Sequence, residues 1–478
     1  MRRVNLIAGI IVTLLIFTSS LSGAEWTTDV QVSNRTGVFD VELVRNPHNG
    51  SLFAALAWEG DGSSAHLSTD GGQTWTETYH GGPGAILSDI ALAYNGDYFY
   101  IALALPTVCV LYRFDATTGA QVPWGGLDWI LITAGSFVEI ELTSPDISWD
   151  PEPQTTADLH FVGFNTSHEL YYAKSTGDMS SWEGGWPGPD DVHHGLSAIS
   201  VYNPYGGAPT NDVYISYVQG TGEIFFNTVA KMSCLNVCFY NLTYWGGPAQ
   251  ETDLAAVGIP GEGGVLYSVF DGDPVGGSPL LLGETDNFDL ENWTYYIISA
   301  TDANLNNPAI ATGNNGQVGL AYTRSTTGGP LVLVQGKFEH HFFEDFASTI
   351  DAPGETYPSA SFPRLDARPS MIHTLASGFG ILYVRHNDPR YAYYTRRDLF
   401  CGQFTGGYTG NVDCSSDGKR NLADITRLID RVYISKLPLD DETSGNIDGD
   451  SDSKVNLADI TRLVDHVYIS KEECATCR

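Results

Sequence analysis

Two short stretches near the C-terminus place oxygen-bearing side chains at the spacing that a hard cation requires. Calcium takes six to eight oxygen ligands, supplied by alternate residues of a tightly turning loop and closed by a later carboxylate. The side chains with this spacing are Asn411, Asp413, Ser415, Asp417, Asn421 and Asp424 in the first stretch, and Asn446, Asp448, Asp450, Asp452, Asn456 and Asp459 in the second. The pattern predicts two Ca²⁺ ions, one in each stretch.

Each oxygen-rich stretch leads into a segment with helical periodicity. The sequence LADITRLxDxVYISK occurs twice, 35 residues apart. Apolar residues recur in it at the spacing of a short amphipathic helix. They are Leu422, Ile425, Leu428, Ile429 and Val432 in the first copy, and Leu457, Ile460, Leu463, Val464 and Val467 in the second. We therefore expect two helices, with Asp424 and Asp459 just inside their positive ends. A pair of helix-capping turns without metal is the alternative.

This duplicated pattern, from Gly410 to Lys471, resembles the type I dockerin family. The resemblance implies a small α-helical domain of two calcium-binding, EF-hand-like loop–helix units with F-hand geometry. First and last ligands span fourteen residues here instead of the family's twelve, which leaves the middle ligand of each loop open. The resemblance also implies docking onto a cohesin-type partner through exposed helix positions. Those positions are Thr426, Arg427, Arg431, Thr461, Arg462 and His466. The alternative is a calcium-stabilised cap that packs on its own chain.

The chain has seven cysteines, an odd number that leaves one thiol outside any set of disulfides. Cys401, Cys414, Cys474 and Cys477 flank the C-terminal repeat and can close it with two disulfides, which an exported chain favours over a zinc site. Cys234 and Cys238 are predicted to bridge a small loop. Cys109, within the apolar run VCVLYRF, is predicted to be the buried free thiol.

Residues 1–24 have the organisation of a secretory signal peptide. Arg2 and Arg3 precede the apolar segment Leu6–Phe17, and small residues follow at Ser22–Ala24. An uncleaved membrane anchor is the alternative, although the apolar segment is shorter than a bilayer span. We expect a secreted or cell-surface protein that meets the membrane only during export.

The amino-acid composition limits the classes of binding partner that we expect. The chain has 478 residues, with 57 acidic and 24 basic side chains and a formal net charge of −33. Nucleic acids and anionic membrane surfaces are bound through basic footprints, so we expect neither as a partner. We expect a monomer.

Residues 25–400 consist of short apolar runs at fairly even spacing, separated by Asn-Gly and similar hairpin turns. Seven such units begin near Val38, Ser88, Pro145, Leu196, Asp253, Asn307 and Arg368. This pattern predicts a mainly β fold, a six- or seven-bladed β-propeller, with a pair of β-sandwiches as the alternative. The segment Trp26–Ser33 is expected to supply the fourth strand of the last blade and close the ring. The predicted domains are therefore 1–24, 25–400 and 401–478.

The segment Ser68–Trp75 matches the Asp box, Ser-x-Asp-x-Gly-x-x-Trp, and so resembles sialidase-like (BNR-repeat) propellers. Asp70 is expected to accept backbone N–H bonds in a hairpin, and Trp75 to pack between strands. Fainter versions occur at Ser175–Trp182 and Asp286–Trp293. In that family the Asp box indicates the fold rather than a catalytic site.

The resemblance raises sialidase activity as a hypothesis. Arg45, Arg324 and Arg385 are the arginines that would have to converge on a carboxylate, although no Arg-Ile-Pro motif or Tyr–Glu pair accompanies them. Another glycosidase would need two carboxylates at the centre of the ring. Candidates that recur near the starts of innermost strands are Asp40, Asp89, Asp146 and Asp253. Turn capping and solvation of the channel are the alternative roles, and we assign no catalytic residue.

Aromatic residues beside glycines, at Trp124, Trp182, Trp186 and Tyr244–Trp245, have the composition of sugar-stacking platforms, with packing between blades as the favoured alternative. The sequence therefore predicts a secreted β-propeller that binds glycan, including polysaccharide, or protein ligands, and that docks to a cohesin-type partner through its calcium-dependent tail. The alternative is a secreted glycan-degrading enzyme, sialidase-like or another glycoside hydrolase, with the same tail.

Overall fold

The structure is a computed structural model. It describes residues 29–46, 49–60, 62–81, 87–144, 158–176, 181–186, 192–203, 210–221, 224–233, 236–240, 252–259, 263–270, 280–286, 290, 292–299, 305–312, 318–326, 329–338, 342–349, 370–373, 378–385, 390–398, 422–434, 455–464 and 468. The chain divides into two compact units. One comprises Thr28–Leu375 and Phe379–Arg396, and the other contains Arg397–Arg478.

The larger unit is built of β-strands. In its described residues, 28 strands form seven four-stranded sheets, and paired strands run antiparallel. The sheets that follow chain order are β2 (Val38–Arg45), β3 (Leu52–Trp58), β4 (Gly62–Ser68) and β5 (Thr76–Gly81); β6 (Asp89–Tyr94), β7 (Tyr98–Ala104), β8 (Val108–Asp115) and β9 (Ile130–Ala134); β10 (Phe137–Thr143), β11 (His160–Asn165), β12 (Leu170–Thr176) and β13 (Ser181–Gly185); β14 (Val192–Asn203), β15 (Thr210–Thr221), β16 (Ile224–Ser233) and β17 (Asn236–Tyr240); β18 (Thr252–Ile259), β19 (Gly263–Phe270), β20 (Leu280–Asp286) and β21 (Thr294–Ser299); and β22 (Leu305–Thr312), β23 (Val318–Thr326), β24 (Gly329–Phe338) and β25 (Phe342–Thr349).

The seventh sheet joins the two ends of this unit. It consists of β26 (Ser370–His373), β27 (Gly378–Arg385), β28 (Tyr391–Asp398) and, at the outer edge, β1 (Val30–Gln31). Val30 pairs with Tyr394, and the Val32 N–H donates to the Ala392 carbonyl at 3.0 Å. The predicted closure by the N-terminal segment is confirmed. Closure matters because it leaves no long unpaired edge in the array.

The first strands of the seven sheets contact one another in cyclic order, β2–β6–β10–β14–β18–β22–β26 and back to β2. A ring of this kind is a β-propeller, and each four-stranded sheet is one blade. The described residues therefore form seven blades, one of the two predicted numbers, and the pair of β-sandwiches is excluded.

Burial explains why the second strands are continuous apolar runs. All seven residues of β3, LFAALAW, are buried, because a neighbouring blade covers each face of the sheet. Between the first two blades, for example, the Phe53 and Phe99 rings stack with centroids 4.5 Å apart. Cys109 lies in the next interface and is buried and free, as predicted. Burial, followed by the charge of Asp89, raises the pKa of its thiol to about 12.

The predicted start of the third blade near Pro145 is wrong. The innermost strand there is β10, eight residues earlier. Its Ile140 and Leu142 are buried in the core between blades two and three, whereas Glu139 and Glu141 alternate with them. Asp146 lies outside the described residues.

The described part of the smaller unit contains two helices of equal length and nearly identical sequence. Helix α1 spans Leu422–Ile429 and continues as a π-helical turn, Asp430–Ile434; helix α2 spans Leu457–Val464. They pack through a small core of buried side chains. Its members are Ile425, Leu428, Ile460 and Leu463. The two predicted helices are confirmed, with one correction: Leu422 and Leu457 are 61% and 56% exposed, because each is the first residue of its helix.

Candidate functional site

The innermost strands all begin at one end of the propeller, which we call the start face. Near this end, side chains of five inner strands each accept a hydrogen bond from a backbone N–H of the next inner strand around the ring. The pairs are Asp40 with Ile90 (3.1 Å), Asp89 with Ile140 (2.6 Å), Glu139 with Leu196 (2.9 Å), Ser197 with Leu254 (3.2 Å) and Asp253 with Ile310 (2.8 Å). We call these five hydrogen bonds the inter-blade clasp.

The clasp has a simple physical origin. An innermost strand has no strand partner on its channel side. Its backbone N–H groups on that side therefore need acceptors from side chains. A carboxylate is a strong acceptor and can serve two donors. Asp40 does so by also accepting the Val41 N–H at 2.9 Å. Asp253 accepts the Leu254 N–H at 2.8 Å and the Ser197 hydroxyl at 2.6 Å.

The structure thus brings Asp40, Asp89 and Asp253 to equivalent positions around the channel, as expected. In the third blade Glu139 takes the place that was assigned to Asp146. Since each of these carboxylates holds a backbone N–H of its neighbour, capping of inner-strand N–H groups accounts for their recurrence.

Asp89 is a member of this ring with a strongly perturbed pKa. It retains some accessible surface, yet the surrounding protein desolvates its carboxyl. Burial first, and then the nearby Asp40 and Glu139 carboxyls, raises the pKa of Asp89 well above its usual value, while the Ile140 N–H bond acts in the opposite direction. A carboxyl with a raised pKa beside two other carboxyls is a chemical feature that acid catalysts also use.

Trp186 is an exposed aromatic ring on the start face. It is 48% exposed and follows β13 directly. Its indole stacks on Phe137 with an interplanar angle of 4° and centroids 6.0 Å apart, and meets the edge of Tyr171 at 4.9 Å. Gly184 permits this arrangement, because a Cβ there would come within 2.5 Å of the Tyr171 hydroxyl. The indole is therefore fixed on a buried support and open to solvent.

Strand polarity places Trp186 at the same end of the propeller as the clasp. Phe137 is the first residue of β10 and pairs with Asn165, the last residue of β11. The antiparallel order then puts the end of β13 at this same end of the blade. Glu139 follows Phe137 by two residues on β10. An aromatic platform and the carboxyl ring thus share the start face.

The other described platform residues pack in the interior. Trp124 is 9% exposed, with the Arg113 guanidinium 4.6 Å from its ring centroid, and Trp182 packs against the core between blades two and three. Tyr244 and Trp245 lie outside the described residues. Packing is therefore the role of Trp124 and Trp182, and Trp186 alone among the described platform candidates is open to solvent.

The three arginines of the sialidase hypothesis do not lie at one end of the ring. Arg45 is the last residue of the inner strand β2 and so lies opposite the start face. Arg324 pairs with Leu305, the first residue of β22, and Arg385 ends β27, so both backbones lie toward the start face. The arginines that the sequence suggested therefore do not form one carboxylate-binding triad.

The Asp box forms the turn between the two outer strands of the first blade. Asp70 accepts the Thr74 N–H at 2.9 Å, and the Gly72 N–H donates to the Ser68 hydroxyl at 2.8 Å. The Trp75 indole N–H donates to the Gly72 carbonyl at 3.2 Å. The predicted local chemistry is confirmed, and it is a structural device at the periphery.

The fainter copies occupy the same place in other blades. Ser175–Trp182 connects β12 to β13, and Asp286–Trp293 connects β20 to β21. In the latter, the Trp293 indole N–H donates to the Leu290 carbonyl at 2.9 Å, three residues earlier, as in the first Asp box. The internal repeat is therefore retained in hydrogen bonding where the sequence has diverged.

In the C-terminal unit, the second predicted calcium loop is described at its final two ligands. Asn456 accepts the Ala458 N–H at 2.7 Å, and Asp459 accepts the Asn456 N–H at 2.8 Å. Asp459 is fully buried. This reciprocal bonding is a capping box at the start of α2. It fixes the Asp459 carboxylate at the helix end.

The other predicted ligands are not among the described side chains. Asp424 is the third residue of α1, as Asp459 is of α2, but its side chain lies outside the described set. Also outside the described residues are Asn411, Asp413, Ser415, Asp417, Asn421, Asn446, Asp448, Asp450 and Asp452. Within the described residues, no group of three or more His, Cys, Asp or Glu side chains is arranged to hold a metal.

The predicted docking positions are partly exposed, and the equivalent threonines of the two helices have the same exposure and the same hydrogen bond. Thr426 and Thr461 are exposed, and each hydroxyl donates to the carbonyl four residues earlier, at 2.8 and 2.9 Å. Arg427 lies 3.4 Å from Asp430. Arg431 and Arg462 are half-buried, and His466 lies outside the described residues.

The sequence reasoning missed a duplicated set of exposed apolar residues in this unit. They are Leu422 and Leu457, at 61% and 56% exposure, and Tyr433 and Tyr468, at 55% and 58%. Members of each pair are 35 residues apart, so both copies present them. The repeat of the residue types was visible in the sequence, but their exposure was not.

Comparison with known proteins gives a limited result. No family model and no curated protein matches the chain. Similar solved structures include AofleA from Arthrobotrys oligospora (11% identity, 70% of this chain and 92% of that one, TM-score 0.43) and Penicillium chrysogenum α-L-arabinanase complexed with arabinobiose (11%, 78% and 98%, 0.42). The Aleuria aurantia lectin in complex with Fucα1-6GlcNAc is a third (10%, 68% and 100%, 0.43). Likenesses this loose support no inference about function.

No helix among the described residues is long and apolar enough to cross a membrane. The proposed leader, residues 1–24, lies outside those residues.

Proposed function

We propose that the protein is exported, that its propeller binds a glycan on the start face, and that its C-terminal repeat tethers it to a partner. Glycan binding is carried by one observation, the fixed and exposed indole of Trp186. A flat aromatic ring stacks on the apolar face of a sugar, and one already held in place loses little conformational freedom on binding.

The chain offers a closely matched control for this proposal. Trp129 is 47% exposed but precedes the outer strand β9 of the second blade. A glycan array with the full chain should identify ligands, and calorimetry should then compare Trp186→Ala with Trp129→Ala. We expect about a tenfold or larger loss of affinity for the first and none for the second. Equal effects of both changes, or of neither, would refute the platform.

Hydrolysis of the bound glycan is a second candidate function, and the raised pKa of Asp89 favours it. The test is Asp89→Asn, whose amide oxygen can still accept the Ile140 N–H but which cannot supply the acidic proton. If wild type releases reducing ends from a bound glycan and the variant does not, the protein is a hydrolase. If wild type releases none from any glycan it binds, binding is the whole function.

The tether is proposed to depend on calcium and to dock onto a cohesin-type domain. The predicted ligands fit a hard cation, because they offer only carboxylate, amide and hydroxyl oxygens. The described Asp459 carboxylate is fixed at the start of α2, where such a ligand would close the second loop. The paired exposed residues Leu422 and Leu457 supply apolar contact area in both copies.

Docking can be tested with a panel of cohesin-type domains on a biosensor, with and without EDTA. The double variant Leu422→Ala/Leu457→Ala is expected to weaken binding about tenfold or more. Leu127→Ala is the matched control, since Leu127 is 63% exposed in the propeller. Absence of binding to the whole panel would leave the tail as a cap on its own chain.

A further inference from the structure

The Asp box of the first blade lies where the ring closes. We call the interface between the seventh and the first blade the seam. Its buried core includes Leu56 of the first blade and Leu382 and Tyr394 of the seventh. Trp75, the last residue of the Asp box, packs against this core. The full Asp-box motif therefore borders the seam.

The box also contacts β28, the strand that holds the N-terminal strand in place. The Arg396 Nη1 donates to the Gly71 carbonyl at 2.9 Å. The Trp75 ring meets the Tyr394 ring edge-on, with centroids 5.5 Å apart and an interplanar angle of 68°. Tyr394 is in turn the residue that pairs with Val30 of β1. One turn of the first blade thus touches the strand through which the two ends of the propeller are joined.

The hydrogen bonds inside the box fix the backbone that makes these contacts. Asp70 accepts both the backbone N–H and the hydroxyl of the residue four positions later. Gly71 and Gly72 have φ angles of +70° and +90°, which glycine adopts without steric cost. A Cβ on Gly72 would overlap the Tyr394 ring. The glycines are therefore needed both for the turn and for the close approach of β28.

The same placement recurs in alternate blades. Trp182 and Trp293, which end the fainter copies in the third and fifth blades, pack against the cores shared with the second and fourth blades. In each case the tryptophan contacts the preceding blade. For the first blade the preceding blade is the seventh, whose outer strand β1 has only two residues, whereas the outer strands β5 and β9 have six and five. So short a strand supplies few ladder hydrogen bonds, and β28 gains support from the box instead.

From these contacts we propose that the Asp box of the first blade is a latch that holds β28, and with it β1, in the closed ring. Asp70 is a positioning residue in this latch, because it acts through the turn that presents Gly71 and Gly72. The effect of the box on stability is then concentrated at the seam. This role is independent of what the start face binds.

Hydrogen exchange on the full chain tests the latch in a double-mutant cycle of Asp70→Ala and Arg396→Met. Asp70→Ala should speed exchange about fivefold in 391–396 and at Val32, whose N–H donates to the Ala392 carbonyl, and leave 160–165 of the third blade unchanged. In the Arg396→Met background, Asp70→Ala should add less than about twofold, because one contact through which it acts is already lost.

A pair of glycine variants separates the latch from backbone strain. Gly126, in a turn of the second blade, has a φ of +100°, and no described atom lies within 4 Å of the position of its Cβ. Gly72→Ala should speed exchange in 391–396 about tenfold or more, and Gly126→Ala should not change it. Equal acceleration in every blade, or acceleration by Asp70→Ala and Gly72→Ala that is confined to 62–81, would overturn the latch.

Discussion

The propeller and the C-terminal repeat both join copies of one unit, but they bury very different amounts of surface in doing so. Each blade has neighbours on both faces, and the second strand of the first blade is buried along its whole length. The described helices of the C-terminal unit share a core of four buried side chains. The ring thus stabilises itself by closure, whereas two eight-residue helices are marginal in water without further support.

This contrast suggests where each region obtains its remaining stability. The propeller has polar links between blades, in which a side chain supplies the acceptor that an edge strand lacks. The helix pair has capping bonds at the start of α2 and, in our proposal, a calcium ion in each loop. The polar links between blades form within the folded ring, whereas the proposed calcium sites require ions from solution. Changes that destabilise only one of the two regions therefore test this difference in the source of stability.

The largest difference is expected on removal of calcium. EDTA should unfold the helix pair and leave the propeller folded, because in our proposal calcium binds in the loops of the helix pair and not in the propeller. Hydrogen exchange on the full chain should show faster exchange, by about a hundredfold or more, in 422–434 and 455–464, with no change in 52–58.

Asp459→Ala is the matched change, and it should reduce the calorimetric stoichiometry of calcium from two ions to one. Unaltered protection of both helices in EDTA, or two ions bound to the variant, would show that the helix pair is held together without metal.

The next largest effect is expected within the clasp. Asp253→Ala removes the acceptor of two backbone N–H groups and one hydroxyl, and should lower the free energy of unfolding of the propeller by about 2–3 kcal/mol. Asp253→Asn should lower it less, since its amide oxygen still accepts. Urea denaturation followed by tryptophan fluorescence measures both. Asp128→Ala, in an exposed turn, serves as control and should change stability by less than about 0.5 kcal/mol. A clasp variant no worse than this control would contradict a structural role.

Acid should destabilise the propeller through buried histidines. Desolvation by burial, opposed by Glu77 and reinforced by Arg35, lowers the pKa of His66 from 6.5 to about 4. The unfolded chain therefore binds more protons than the folded one between about pH 6.5 and 4, and stability falls as the pH drops through that window. His160 behaves in the same way, its pKa being lowered to about 4 mainly by burial.

The loss for each histidine is about 2.5 kcal/mol at pH 4.5. Thermal unfolding of wild type and His66→Gln at pH 7 and pH 4.5 should show a smaller acid effect in the variant, whose amide can still bond to the Ser64 hydroxyl. Identical pH dependence in the two proteins would remove His66 as a source of the acid sensitivity.

The smallest effect is expected in the Asp box. Asp70→Ala removes acceptors for the Thr74 N–H and hydroxyl in an exposed outer turn, and should cost about 1 kcal/mol. Gln73→Ala, in the same turn, should cost almost nothing. Denaturation curves of the two variants decide this. A loss as large as that of Asp253→Ala would mean that the periphery of a blade matters as much as its inner edge.

Much of the fold was predictable because the relevant interactions are local. Alternation, apolar runs and Asn-Gly turns identify strands and hairpins, and six of the seven units begin at or close to an inner strand, as with Val38 and β2. The Asp box chemistry is contained within eight residues. The helices at Leu422 and Leu457 follow from periodicity, since a helix is bonded along its own segment.

The site was less predictable because it depends on which distant strands meet. Trp182 and Trp186 have similar neighbours in the sequence, yet one packs into the core and the other rests on Phe137, 49 residues earlier, and faces solvent. Arg45 and Arg324 look equivalent as arginines that follow apolar runs, but strand direction puts them at opposite ends of the ring. The sequence by itself thus determined the local structure, namely the strands, hairpin turns, Asp box and helices. Register, strand polarity and contact between blades were decided only by tertiary structure, because they arise from pairing and burial between segments far apart in the chain.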